Sequence, residues 1–225
     1  QNEQTYDGAS LEWNHDRWNV FYSYVGHVNR IFDSSVPAGD HDHDTHLVNA
    51  SFDVADGHAL TGYLYDIEDR DQQAFSSRTL GLRYTGSAGL LSWLTEYARQ
   101  SDAGDNPTDY DADYLHLRAD IALDPRFEPV AGFERLEGSR SAGEAFRTPL
   151  ATLHAFNGWA DRFLTTPDTG LEDIYGGFTG RNGRLGWNLT LHRFESEATG
   201  ARFGDEIDAS VSIDVAEKVA LLLQV

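Results

Sequence analysis

Apolar and polar residues alternate with a period of two along almost the whole chain. The clearest run is Leu185–His192, in which leucine or tryptophan occupies every odd-numbered position and glycine or a polar residue every even one. Segments 48–54, 115–121 and 207–215 show the same alternation. A helix would instead place its apolar residues three and four positions apart. The pattern therefore predicts β-strands that each have one apolar face.

The full pattern predicts about twelve strands, most of them longer than the roughly 5–6 residues typical of soluble proteins. Ten residues tilted by about 40° rise by about 25 Å, which is the height of the apolar band of an outer-membrane barrel. The predicted strands are 4–14, 17–30, 45–55, 58–68, 76–87, 90–101, 110–123, 127–138, 171–181, 184–197, 204–216 and 218–225.

Short and long connections alternate between these strands. The short ones include Asp56-Gly57 and Asn182-Gly183, dipeptides that favour tight hairpin turns because both residues accept a positive φ. In an antiparallel meander this alternation puts every long connection at one end, as in bacterial transmembrane barrels. We therefore predict an all-β fold, an antiparallel up-and-down transmembrane β-barrel that forms a single domain over 1–225. The long connections are 31–44, 69–75, 102–109, 139–170 and 198–203.

A soluble β-sandwich or lectin-type binding module shares the alternation and is the alternative fold. It would pack its apolar face against a second sheet, and it gives no reason to keep all long loops at one end. Aromatic residues such as Trp13, Trp93 and Trp187 lie near strand ends or on the apolar face, as an interfacial girdle requires. These positions favour the barrel.

Charge and composition exclude several classes of protein. The chain has 37 acidic and 17 basic residues and a net charge of −20, which argues against a nucleic-acid binder. It has no cysteine, and so neither disulfides nor thiolate metal sites. No apolar run approaches the ~20 residues of a membrane helix. Because the sequence begins and ends inside patterned segments, we expect a fragment of a longer protein.

The polar face of the strands carries charged groups at depths that lipid would not tolerate. We expect them to line a water-filled passage and to set its selectivity; the alternative is a set of ion pairs that only fills the interior. The sequence has no nucleophile or phosphate-binding motif, so we expect neither enzymatic activity nor a cofactor. The candidate lining residues are Arg83, Glu96, His116, Arg118, Asp120, Asn188 and His192.

Segment 40–46 reads DHDHDTH and resembles a metal-binding run. Three histidines within six residues suit Zn²⁺ or Cu²⁺, and the aspartates suit Ca²⁺. The segment lies in a predicted long loop, however, with no fixed second strand to complete a coordination shell. We therefore expect a solvated acidic loop rather than a metal site.

Connection 139–170 is the most distinctive part of the chain. It contains FRTPLATLHAFNGWADRFLTTP over 146–167 and GLEDIY over 170–175. These residues, with the segments 1–8 and 204–208, resemble the alginate export family of outer-membrane β-barrels. The resemblance spans essentially the whole chain and is specific in 146–175.

The resemblance implies an 18-stranded barrel, of which this chain would hold the C-terminal two-thirds. It implies passage of an anionic polysaccharide such as alginate across the outer membrane of a Gram-negative bacterium, in contact with lipid, lipopolysaccharide and unidentified periplasmic export partners. The alternative is a general or small-solute uptake porin with the same barrel. The arginines that would meet sugar carboxylates are Arg83 and Arg118 on the strands and Arg147 and Arg162 in the long loop.

Within this connection, apolar residues recur at helical spacing over 153–163. The spacing predicts a short helix that folds over or into the passage as a constriction. A loop packed on the outer rim is the alternative. The constricting side chains would be Phe156, Trp159 and Phe163.

Overall fold

A computed structural model describes residues 4–30, 32, 36, 39–151, 157–217 and 219–225. They form one antiparallel sheet in which each strand pairs with the next in sequence. No helix in the described part of the chain is long and apolar enough to cross a bilayer. The twelve strands are β1 (Thr5–His15), β2 (Trp18–Asn29), β3 (Asp40–Ala55), β4 (His58–Ile67), β5 (Ser77–Ala88), β6 (Leu91–Asp102), β7 (Asp111–Ile121), β8 (Glu128–Leu136), β9 (Leu171–Asn182), β10 (Leu185–Glu195), β11 (Arg202–Ala216) and β12 (Val219–Gln224).

The predicted all-β, up-and-down architecture with about twelve strands is confirmed. The first and last strands, β1 and β12, are not paired with each other within the described residues, so the sheet is an open or incomplete barrel. The soluble sandwich is wrong for the described chain, because a single sheet leaves no second layer for the apolar face to pack against.

Tight turns join the strands at one rim of the sheet. Asp16, Gly57, Gly89 and Gly183 have φ values of 50°, 73°, 60° and 60°, as such turns require. At the same rim, hydrogen bonds from the side chain and backbone of Arg126 lower the pKa of Asp124 to about 2. The connections 30–39, 68–76, 103–110, 137–170 and 196–201 all lie at the opposite rim, which we call the long-loop rim.

Strand β3 begins at Asp40, five residues before the predicted start, so the expectation of a solvated loop over 40–46 is wrong. This extension is hydrogen-bonded on both sides. His41 pairs with Val28 of β2, and the backbone nitrogen of Asp44 donates to the Glu68 carbonyl at 3.0 Å. The period-two signal misses the extension because both of its faces are polar.

The two faces of the sheet differ in chemistry. The outer face exposes large apolar side chains, among them Leu80, Leu82 and Leu191, whose exposed fractions are 64%, 51% and 49%. The inner face carries polar and aromatic groups, and part of it is covered by connection 137–170. The buried core lies between that connection and the inner face and consists of Tyr63, Ala98, Tyr110, Ala112, Leu136, Phe146, Leu171 and Phe194.

Two inner-face tyrosines lie flat over glycines of the neighbouring strand. A Cβ added to Gly81 would lie 2.1 Å from the Tyr63 ring, and one added to Gly132 would lie 2.1 Å from the Tyr175 ring. This aromatic cover holds each ring against the sheet. It also fixes the position of the phenol oxygen at the end of each ring.

Replacing Gly81 with alanine tests this packing. The methyl group has no room under Tyr63, so we expect G81A to lower the free energy of unfolding by about 1–3 kcal/mol, as overpacking typically does. Chemical unfolding in detergent measures the change. The control is G62A, because a Cβ at Gly62 meets nothing within 4 Å. Equal effects of the two substitutions would contradict the packing argument.

Candidate channel lining

Connection 137–170 is fixed to the inner face by hydrogen bonds to two strands. The Arg147 backbone nitrogen donates to Oε1 of Gln100 at 2.8 Å, and Nε2 of Gln100 donates back to the Arg147 carbonyl at 2.8 Å. Further along, Nδ2 of Asn157 donates to Oε2 of Glu134 at 2.9 Å. Gln100 is 1% exposed, so its two bonds to the loop are shielded from water.

The same connection reaches the first strand of the sheet and the last but one. The Tyr6 hydroxyl on β1 donates to the Leu150 carbonyl at 3.2 Å. The Ala160 backbone nitrogen donates to Oε1 of Glu206 on β11 at 2.7 Å. Contacts with strands this far apart mean that the sheet curves around the connection. The connection therefore crosses the inner side instead of resting on the outer rim.

The predicted helix over 153–163 is wrong for its described part, 157–163, which consists of turns and bends. Asn157, Gly158 and Asp161 have φ values of 57°, 85° and 56°, and an α-helix cannot continue through such residues. Phe156 lies outside the described residues. Trp159 is half-buried, and Phe163 packs against Phe194 with a centroid distance of 4.7 Å.

A cavity of about 480 Å³ remains between the connection and the inner face. The buried carboxylate of Glu96, 3% exposed, lies on its wall. The Tyr63 hydroxyl donates to Oε1 of Glu96 at 2.7 Å, and Nε of Arg83 donates to Oε2 at 2.7 Å. The Arg83 side chain is 48% exposed, and its two Nη atoms have no hydrogen-bond partner among the described residues.

A second carboxylate, that of Glu134, faces the same cavity. Its Oε1 accepts a hydrogen bond from the Tyr114 hydroxyl at 2.5 Å, and Tyr114 also stacks on Phe146 with a centroid distance of 5.3 Å. The cavity therefore combines one partly exposed guanidinium, two hydrogen-bonded carboxylates and a wall of tyrosine rings. Such a surface offers polar contacts and flat ring faces to a small solute.

Four of the predicted lining residues lie on the inner face beyond this cavity. Nε2 of His116 and the Tyr175 hydroxyl are 2.9 Å apart. Arg118 donates to both carboxylate oxygens of Asp120, at 2.6 and 2.9 Å. Asn188 has a buried side-chain oxygen without a hydrogen-bond partner among the described groups.

His192 forms a compact acidic group with two carboxylates. Its Nδ1 lies 2.8 Å from Oδ2 of Asp173, and its Nε2 lies 3.5 Å from Oδ2 of Asp208. Asp173 and Asp208 are 1% and 3% exposed. The group therefore belongs to the wall and is closed to a passing solute.

The two loop arginines differ. Arg147 lines the cavity, with its side chain 17% exposed and its Nη2 2.9 Å from Oδ1 of Asp168. Arg162 is exposed and does not line the cavity. The loop therefore brings one guanidinium, not two, to the candidate site.

Sequence reasoning did not place Tyr63 or Glu134, because the alternation in β4 and β8 is ambiguous. Glycines interrupt it, at Gly62 in β4 and at Gly132 in β8. The registers resolve the ambiguity, since Tyr63 lies opposite Asn49 and Glu134 lies opposite His116 on the inner face. Gln100 was also not predicted, because no pattern within a single strand shows that its side chain bonds to the Arg147 backbone.

Acidic residues outnumber basic ones among the described inner-face positions of the strands. The basic side chains there are those of Arg83, Arg118 and Arg181, and each is paired with a carboxylate. The described part of the inner wall is therefore net acidic, with Arg83 as a local positive site. The acidic positions include Glu96, Asp120, Glu134, Asp173, Glu206 and Asp208.

The outer face has three zones along the strand direction. Aromatic pairs lie next to the tight turns, such as Trp18–Phe52 and Tyr84–Trp93, with centroid distances of 4.7 and 6.3 Å. The exposed leucines follow. Ion pairs then begin towards the long-loop rim, where Nη2 of Arg78 lies 2.8 Å from Oδ2 of Asp66. The outer face therefore carries an aromatic girdle, then an apolar belt, then a polar edge. A β-barrel in a bilayer has zones of this kind.

Comparisons with known proteins support the fold and nothing more specific. No family model and no curated protein matches the sequence, so the resemblance to the alginate export family receives no support. Among solved structures, the chain is similar to OccK3 (OpdO) of Pseudomonas aeruginosa, with a TM-score of 0.65 and 14% sequence identity. The match covers 98% of this chain and 65% of the OccK3 chain.

The chain therefore has the fold of an outer-membrane porin β-barrel and spans about 65% of the length of the structure it matches. This fold, together with the apolar belt, indicates a sheet whose outer face lies against a lipid bilayer.

Two neighbouring residues of β10 test which face meets hydrocarbon. Leu191 lies on the outer face, whereas Thr190 lies on the inner face opposite Asp208. We expect L191R to lower the stability of the protein in lipid by about 2–4 kcal/mol, the cost of a charge near the bilayer midplane. T190R, at the same depth, places its charge beside a carboxylate and should cost far less. Denaturant titrations in lipid vesicles measure both, and a larger loss for T190R would reverse the assignment of the faces.

Proposed function

We propose that this chain forms the wall of a passive outer-membrane channel that admits small polar solutes. The observation that carries the proposal is connection 137–170, which crosses the inner side of the sheet and is hydrogen-bonded there. The space it leaves at Arg83 and Glu96 is a cavity of about 480 Å³. Sites for small molecules have volumes of about 300–1,000 Å³.

The same observations favour a small-solute porin over an exporter of an anionic polysaccharide. A polymer needs a continuous open passage, and the connection fills part of the cross-section. The described part of the inner wall is net acidic, which disfavours a polyanion along it. A small solute that carries one carboxylate meets only the local field, where Arg83 presents its Nη atoms to the cavity.

The constriction role of the connection is tested by shortening it. Its ends meet, since the backbone nitrogen of Ser139 donates to the carbonyl of Asp168 at 2.8 Å. Residues 141–166 are therefore replaceable by a short Gly-Ser linker that keeps the backbone pairing of β8 with β9, although the replacement removes Phe146 from the buried core. We expect the intact protein so shortened to show several-fold higher single-channel conductance and faster liposome swelling with neutral and uronate disaccharides.

The control for that experiment shortens connection 196–201 at the same rim, whose described hydrogen bonds run within itself and to Thr169 and Gly138, both of which lie outside 141–166. Its conductance should equal that of the wild type. An unchanged conductance after replacement of 141–166 would show that the connection does not narrow the passage.

Charge selectivity tests the inner-face assignment through two arginines of β5. Arg83 and Arg78 are both paired with a carboxylate, but Arg83 faces the cavity and Arg78 the outer face. We expect the wild-type channel to prefer cations in a salt gradient. R83Q should increase that preference, because the charge of Glu96 is then no longer balanced, whereas R78Q should leave the reversal potential unchanged. A shift in R78Q but not in R83Q would contradict the proposed lining.

A further inference from the structure

Three potential metal ligands meet at the long-loop rim, away from the cavity. His41 and His43 come from the extension of β3, and Asp69 from the connection that follows β4. Their exposed fractions are 1%, 3% and 2%. One ligand atom from each residue lies within 4.8 Å of the other two. Two imidazoles and a carboxylate are thus buried together, although most of the surrounding rim is exposed.

The distances within this cluster are close to those of a coordination shell. Oδ2 of Asp69 lies 2.7 Å from Nδ1 of His41 and 3.6 Å from Nε2 of His43. Ligands about 2.0–2.2 Å from a tetrahedral ion lie about 3.3 Å from each other. The two measured distances differ from that value by a few tenths of an ångström, and the three ligand atoms lie within 4.8 Å of one another, so small side-chain shifts would bring them around one ion.

Neighbouring groups orient each ligand towards the same point. Oδ1 of Asp69 accepts hydrogen bonds from the backbone nitrogens of Asp71 and Gln72 at 3.1 and 2.7 Å, which directs Oδ2 to the histidines. Nδ1 of His43 lies 3.1 Å from the Thr45 hydroxyl, which directs Nε2 to Asp69. Outer-shell bonds of this kind are what hold metal ligands in place.

His41 is oriented in the same way by the Gln72 side chain, whose Nε2 lies 3.2 Å from Nε2 of His41. Without a metal, the imidazole proton sits on Nδ1 and is donated to Asp69. An ion bound at Nδ1 would require the other neutral tautomer, so the single ring proton would move from Nδ1 to Nε2 with no net release. The Gln72 amide would then turn over so that its oxygen accepts the hydrogen bond from Nε2.

We propose that His41, His43 and Asp69 bind one divalent transition-metal ion of the Zn²⁺ class, with water as the fourth ligand. Two imidazoles and a carboxylate suit Zn²⁺ and its neighbours in the first transition row, whereas Ca²⁺ and Mg²⁺ require mainly oxygen ligands. The surrounding rim is acidic and attracts cations, with Asp40, Asp42, Asp44, Glu68 and Asp71 on the two adjoining segments.

The ion would join two segments that the backbone already aligns. His43 and Asp69 form an isolated β-bridge, and the Arg70 nitrogen donates to the Asp42 carbonyl at 2.9 Å. A metal bond across this bridge would fasten connection 68–76 to β3. The ion would thus add a bond between side chains to the backbone hydrogen bonds that already join the two segments.

Zinc titration of the metal-free intact protein in detergent tests the proposal, with Co²⁺ absorption as a second measurement of ligand geometry. We expect one saturable site with a tetrahedral Co²⁺ spectrum. H43Q and D69N should weaken Zn²⁺ binding at least about 100-fold, since loss of outer-shell partners alone costs about 10–100-fold. D69N retains Oδ1 as the acceptor for Asp71 and Gln72, and the fold of both variants is checked by their unchanged mobility on unheated gels.

The matched control is H27Q. His27 lies at the same rim, and its imidazole is 3.1 Å from Asp42 and 3.7 Å from Asp40, but it is not part of the buried cluster. Zinc binding should be unchanged in H27Q. The proposal is overturned if no saturable site appears, if Co²⁺ stays octahedral, or if H27Q weakens binding as much as D69N does.

Discussion

Hydrogen bonding between neighbouring backbones is the interaction on which the rest of the structure depends. Hydrocarbon offers no partner for a peptide group, so a strand in a membrane must be paired on both sides. Ten of the twelve described strands meet this condition, and among the described residues β1 and β12 are each paired on one side only. Once the backbones are paired, one face of the sheet can contact lipid and the other can contact water.

The strands and the tight turns were predictable from the sequence because burial against lipid imposes a strict period of two. Segment Leu185–His192 carries that period without interruption, and Asn182-Gly183 marks the turn before it. The signal fails where both faces meet water. That is why the extension of β3 over 40–44 was predicted as a loop, although it is paired on both sides.

The candidate site was predictable only in part, for a related reason. Alternation identifies which residues of a strand share a face, and it groups Arg83 with Glu96, which lie opposite each other on β5 and β6. It says nothing about contacts between distant segments. The anchoring of Arg147 by Gln100 joins residues 47 positions apart, and the Tyr63–Glu96 bond joins residues 33 positions apart. The prediction of a helix was wrong because it used only the spacing of apolar residues. Asn157, Gly158 and Asp161 have positive φ values, which end a right-handed helix.

The hydrogen bond between Ser139 and Asp168 has an evolutionary consequence. It closes the base of the long connection, so that the backbone leaves the sheet and returns to it at one place. Insertions, deletions or replacements between these two residues would reshape the space on the inner side of the sheet while the backbone bonds between the strands stay in place, although a change at Phe146 would also alter the buried core. The long connection is thus able to change in evolution while the strands stay the same.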